Sequence, residues 1–184
     1  MDSYLDIEVL PDPEISSPVL MNNLFAKLHR ALVEYSHGKV AVSFPKYGKT
    51  LGDVLRLHGS RDALERVMVQ PWFKGLRDYT SVGNTSPVPD NIQGYRTTFR
   101  VQQKSQHNIR RRAVAKGWLS EEEALHKIPD AKQKRLSLPF VQIKSQSTNQ
   151  QMRLFIECGA LLEKPVAGHF SSYGFSREAT IPWF

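Results

Sequence analysis

Seven cations and no carboxylate occupy the thirty residues from Asn91 to Ser120: Arg96, Arg100, Lys104, Arg110, Arg111, Arg112 and Lys116. So one-sided a run repels itself unless an outside anion neutralises it. The commonest such anion is a nucleic-acid backbone, which releases condensed counterions when cations bind. Taken alone, the run reads equally as a solvated basic face. Arg110, Arg111 and Arg112 span most of one helical turn and so cannot share a face, while Lys116 lies one turn after Arg112 on the same side. Such a helix can grip both strands of a duplex. Arg100 and Gln102 sit two apart in a β-prone segment and point the same way; Arg to guanine and Gln to adenine are recurrent base-edge pairings, although an ordinary exposed strand would look identical.

Proton chemistry has fewer candidates. His29 follows the apolar run of a helix, at the edge of its face and one turn after Phe25. A lone histidine there is usually a packing or surface residue. Ser145-Gln146-Ser147-Thr148 is a hydroxyl-rich turn. Tyr173-Gly174 lies among Ser171, Ser172 and Ser176, whose backbone amides could hold a phosphate. Cys158, the one cysteine, excludes an internal disulfide and a Cys-based zinc site, and its apolar neighbours favour a buried structural thiol over a nucleophile. Walker, GxGxxG and HExxH motifs are absent.

The elements that must position these residues follow from periodicity. Tyr4 to Leu10 alternates, with Leu5, Ile7 and Val9 on one face, and reads as a half-buried strand. Ser17 caps a helix with Pro18 at its first position; Met21, Leu24, Phe25, Leu28 and Leu32 keep helical spacing to about His37-Gly38. Val40–Phe44 and Leu51–His58 are strands joined by the Lys46–Lys49 turn. Ser60 caps a second helix, and a last strand lies within Tyr79–Val88. The order β-α-β-β-α-β is that of a ferredoxin-like unit. A linker spans Ser86–Asn91. Beyond it come a β-prone Arg96–Gln102, a helix from about 105 to 116 stopped by Gly117, and a capping box at Ser120–Glu123. A hairpin from Pro139–Ser145 and Met152–Cys158 follows, then the C-terminal Ile181–Phe184. The expected fold class is α+β, with domains at 1–90 and 91–184.

Charge divides at the same place. The net charge of +7 splits into ten Lys/Arg against eleven Asp/Glu over 1–92, and fifteen against seven over 93–184. The second half is built to meet a polyanion. No apolar stretch approaches the roughly 20 residues of a membrane span, and no signal peptide is visible. The expectation is a soluble protein of a reducing compartment, the cytoplasm.

Short fragments spread along the whole chain resemble one family. They include Tyr4-Leu5-Asp6-Ile7, Lys27-Leu28-His29, Ser43-Phe44-Pro45, Gly75-Leu76-Arg77-Asp78, Arg100-Val101-Gln102 and Leu119-Ser120-Glu121-Glu122-Glu123-Ala124. Ile128-Pro129-Asp130, Ser145-Gln146-Ser147-Thr148, Arg153-Leu154-Phe155-Ile156, Tyr173-Gly174 and Pro182-Trp183-Phe184 continue the series. In order and spacing the chain resembles the CRISPR repeat-processing endoribonucleases of type I-F systems, which cut precursor CRISPR RNA beside a repeat hairpin.

That resemblance implies a ferredoxin-like N-terminal domain and a C-terminal α/β domain whose arginine-rich helix enters the groove of an RNA stem-loop. It makes His29 the catalytic histidine, Ser145 the active-site serine and Tyr173 the tyrosine that positions His29. Arg100 and Gln102 become readers of bases at the foot of the stem. Lys104, Arg110, Arg111, Arg112 and Lys116 become RNA contacts, with Ser147, Thr148 and Met152 beside the active site. The chain also departs from the pattern: the segment between Ser105 and Ser120 is one residue short, Ala115 replaces a basic residue, and Met152 replaces an aromatic that stacks at the cut. The implied reaction is metal-free and needs no cofactor: His29 as general base deprotonates the ribose 2′-hydroxyl, which Ser145 holds. Products are a 5′-hydroxyl and a 2′,3′-cyclic phosphate or the 3′-phosphate it opens to. Implied partners are the repeat hairpin and the other subunits of a type I-F effector complex. The same basic helix would serve a non-catalytic RNA-binding subunit; a DNA-binding regulator is a second alternative, for which double-stranded DNA would compete well with RNA hairpins, whereas the cleavage chemistry requires a 2′-hydroxyl.

Overall fold

The computed structural model describes residues 1–102, 105–130, 136–144 and 150–184. The chain is mixed α+β, with antiparallel sheets and four α-helices among the described residues. It forms two compact units, one of Met1–Val101 with Leu138–Phe184 and one of Gln102–Ser137.

In the larger unit, β1 (Ser3–Val9) alternates as expected, burying Leu5, Ile7 and Val9. It pairs antiparallel with β3 (Val54–Gly59), and β3 pairs with β2 (Ala41–Ser43). On its other side β1 pairs with β4 (Thr80–Val82) and with β5 (Ser86–Pro87), giving the order β2-β3-β1-β4. Helix α1 (Ser17–Tyr35) covers this sheet with α2 (Arg61–Met68), which Ser60 caps through a bond from the Ala63 amide.

The α1 cap is Ser16, not Ser17. The Ser16 carbonyl already accepts from the Val19 and Leu20 amides, so the first turn starts one residue early and Pro18 sits where no intrahelical N–H is required. Leu20, Met21, Leu24, Phe25, Leu28, Ala31 and Leu32 form the buried stripe. Each large apolar side chain buried this way contributes about 1.5–3 kcal/mol, so the stripe fixes the helix's rotation and therefore where His29 points.

A second sheet, β7 (Thr98–Val101), β9 (Gln151–Cys158) and β8 (Phe140–Lys144) in the order β7-β9-β8, packs against α1 through β8. The Gln142 amide donates to Asn22 Oδ1 at 2.8 Å, and Val141, Ile143, Leu154 and Ile156 join the core around Phe25. A short pair, β6 (Gly94–Arg96) with β10 (Ile181–Trp183), holds the end of the chain. There Arg56 bonds both Asp6 oxygens and the Phe184 carbonyl. No described helix is long and apolar enough to cross a membrane.

The smaller unit holds α3 (Gln106–Ala115) and α4 (Glu121–Lys127). Ser105 caps α3 by accepting from the Asn108 amide, and Gly117, at φ 68°, ends it. The capping box at Ser120 and Glu123 forms in both directions.

Candidate active site

His29 emerges from the fourth turn of α1, half-exposed, beside the loop 171–175. Its ring lies against Tyr173, with centroids 4.1 Å apart and planes 13° from parallel. Tyr173 in turn stacks on Phe25 and Phe175, at 6.4 and 6.3 Å. Since Phe25 is fully buried, the core itself orients the tyrosine and the tyrosine orients the imidazole.

One hydrogen bond sets the imidazole's chemistry. His29 Nδ1 lies 2.9 Å from the Ser172 carbonyl oxygen. A carbonyl can only accept, so Nδ1 carries the proton and, in the neutral ring, Nε2 carries the lone pair. The result is a positioned base whose basic atom has no hydrogen-bond partner among the described residues.

Gly174 explains how the loop reaches that place. Its φ is +73°, and a Cβ there would lie 2.4 Å from Val42 Cγ2 and 3.0 Å from the Val42 amide nitrogen. The Val42 amide donates to the Gly174 carbonyl at 2.9 Å. Only glycine accepts both the backbone angle and the approach. Sequence reasoning singled out Tyr173-Gly174 but not Ser172, Phe25 and Phe175 as the support of His29; the Phe25-to-His29 interval of one helical turn was the available pointer.

The other expected residues fall into three groups. Lys104, Ser145, Ser147 and Thr148 lie outside the described residues. Arg111, Arg112 and Lys116 are exposed on the smaller unit, with Lys116 Nζ 4.5 Å above the ring of Trp118. Arg110 is turned inward instead: its side chain is 14% exposed, donates to the Ile128 carbonyl at 2.8 Å and pairs with Asp130 at 2.8 Å. It shares a stripe with Gln106, Ile109 and buried Ala113, at the i, i+3, i+4, i+7 spacing that could have revealed this from the sequence.

Arg100 lies on β7 opposite Ile156, half-buried, its Nε without a hydrogen-bond partner among the described residues. The strand ends at Val101, so Gln102, exposed, stands just beyond it, and strand geometry does not fix the two side chains on one face. Met152 lies on β9 opposite Ile143 and packs partly into the core. Burial pushes the Cys158 thiol up to about 11, which makes it a poor nucleophile. Among the described residues no group of three or more His, Cys, Asp or Glu is placed to hold a metal ion.

A family model described as CRISPR-associated protein (Cas_Csy4) matches residues 4–184. A protein of Escherichia coli strain UTI89, the CRISPR-associated endonuclease Cas6/Csy4, is 50% identical over 185 residues, covering the whole of both chains. A protein of the same name from Pseudomonas aeruginosa strain UCBPP-PA14 is 45% identical over 188 residues, again end to end.

Proposed function

We propose that this chain, which belongs to the Cas_Csy4 family of CRISPR-associated proteins, is an endoribonuclease that binds the stem-loop of a CRISPR repeat and cuts precursor CRISPR RNA at the 3′ base of the stem. The observation that carries the reaction is the His29 Nδ1–H bond to the Ser172 carbonyl beneath a stacked Tyr173, which puts the basic lone pair of the neutral ring on Nε2.

RNA supplies its own nucleophile. His29 Nε2 takes the proton of the ribose 2′-hydroxyl, the 2′-oxygen attacks the adjacent phosphorus, and the P–O5′ bond breaks. The departing 5′-oxygen is protonated to a 5′-hydroxyl, and the other product end is a 2′,3′-cyclic phosphate, which water opens to a 3′-phosphate. General-base help of this kind is worth about 10²–10⁴-fold, and alignment of the three atoms adds to it. Ser145 is assigned to hold the 2′-hydroxyl.

Arg111 and Arg112, exposed on α3, and Lys116, exposed at its C-cap, are assigned to the phosphates of the stem, and Lys104 is assigned to the RNA as well. Arg110 reaches the RNA only through the helix it braces. Arg100 and Gln102 are assigned to bases at the foot of the stem, and Ser147, Thr148 and Met152 to the nucleotides at the cut. The strand order β4-β1-β3-β2 supports a ferredoxin-like domain over 1–90 that carries His29, with hairpin binding in 91–184. Most contacts are to a stem that survives the cut, so the protein stays on the 3′ hairpin of the mature guide and joins the other subunits of a type I-F effector complex in the cytoplasm.

Incubation with the repeat RNA of its own locus in EDTA, with end-group analysis, tests the reading. A single cut at the foot of the stem with a 5′-hydroxyl and a cyclic or 3′-phosphate is the expected result. Tight binding without cleavage would make the chain a non-catalytic hairpin-binding subunit.

A further inference from the structure

RNA cut beside His29 continues past it, and α1 offers a second polar site on its other flank. A cavity of about 260 Å³ opens between α1 and the 3₁₀ turn Pro71–Phe73, lined by Lys27, Arg30, Glu34, Tyr35, Gln70 and Trp72. On α1, Lys27, Ala31 and Glu34 form one stripe and His29 lies on the opposite flank of the buried face, about 160° away at roughly 100° per residue. Arg30, exposed, falls between them on the solvent side. Around a helix about 10–12 Å across, that arc is about 15 Å, a span of a few nucleotides.

The cavity's walls are fixed. Trp72 Nε1 donates to the Val67 carbonyl at 2.9 Å, and its ring meets Phe73 edge-on at 4.9 Å, so the indole is held rather than free to swing. Lys27 Nζ donates to the Lys74 carbonyl, which holds one cation at the rim with protons to spare. Lys27 and Arg30 stand there against one carboxylate, Glu34. Cations that track a backbone beside a rigid aromatic are what single-stranded nucleic acid requires.

We infer that this cavity receives the unpaired nucleotides 3′ of the cut, with Arg30 and Lys27 on their phosphates and a base against Trp72 and Gln70; the inference rests on the endoribonuclease reading above. The substrate class is thereby extended from a hairpin to a hairpin with a downstream single strand. Once P–O5′ breaks, that strand is no longer tied to the stem and only this weak site retains it, so it leaves while the stem stays.

Affinity is measured for repeat hairpins that end at the scissile phosphate and for the same hairpins with progressively longer 3′ single strands, all with a deoxyribose before the cut. Extension by a few nucleotides should tighten binding about tenfold, the lower range of one base–aromatic stack. It should also quench fluorescence in the wild type and not in Trp72→Phe. Arg30→Ala should abolish the gain from extension. Equal affinity for all lengths, or a gain that survives Arg30→Ala with no Trp72 response, overturns the inference while leaving hairpin cleavage intact. Failure to bind any hairpin overturns both. Occupation of the cavity by another protein subunit, with extended and truncated RNA bound alike, also overturns it.

Discussion

Gly174→Ala should disable the active site from the far side of Tyr173. An alanine at φ +73° costs about 1–2 kcal/mol for the left-handed backbone alone. Its Cβ would also stand 2.4 Å from Val42 Cγ2 and 3.0 Å from the Val42 amide nitrogen, and overpacking of this kind costs typically about 1–3 kcal/mol. Together the loss is about 3 kcal/mol, or on the order of 10 °C in Tm for a chain of this size. The same strain pushes Ser172 and Tyr173 off His29, so the cleavage rate should fall more than hairpin affinity does. A double-mutant cycle separates the parts. Val42→Ala removes the crowding methyl and alone costs the burial of a fully enclosed side chain. Combined with Gly174→Ala it should recover about 1–2 kcal/mol relative to additivity and part of the cleavage rate. Strict additivity in urea midpoints, with cleavage unrelieved, would refute the claim that Val42 and Gly174 jointly place the loop.

Three further outcomes follow from particular side chains. Arg111→Ala and Arg112→Ala should each flatten the log–log salt dependence of hairpin binding by up to about one unit, whereas Arg110→Ala should cost about 1–2 kcal/mol of stability by releasing Ile128 and Asp130; a slope change as large for Arg110 would put it at the phosphates. His58 is fully buried, its Nε2 2.8 Å from Ser43 Oγ, and burial pushes its pKa down to about 3, so it is neutral when folded and takes up a proton on unfolding below about pH 6.5. Stability from this residue is therefore full above about pH 6.5 and falls below it, by on the order of 2 kcal/mol between about pH 7.5 and 5; urea titrations should show that slope in the wild type and lose it in His58→Gln. Cys158 should react with iodoacetamide at about pH 8 on the order of a hundredfold slower than a free thiol, and an ordinary rate would contradict its burial.

Local chemistry made much of the framework legible. The alternation of β1, the apolar stripe of α1 and the caps at Ser60 and Ser120 stand where periodicity and side-chain hydrogen bonding put them. What escaped was long-range. Nothing local ties His29 to a carbonyl 143 positions later; only resemblance to a family joined His29 to Tyr173, and the Ser172 bond that sets the tautomer was in neither. Arg110 escaped for the opposite reason: inside a run of three arginines its inward turn is masked by its neighbours, and only the spacing to Ile109 and Ala113 distinguishes it.

The central claim is that the ribose 2′-oxygen, deprotonated at His29 Nε2, is the nucleophile. Replacing the one ribose on the 5′ side of the scissile phosphate by deoxyribose tests it most directly, in a single-turnover cleavage assay with hairpin binding measured alongside. Unchanged binding and no cut are expected; cleavage of that deoxy substrate at the same phosphate would rule the 2′-oxygen out as nucleophile.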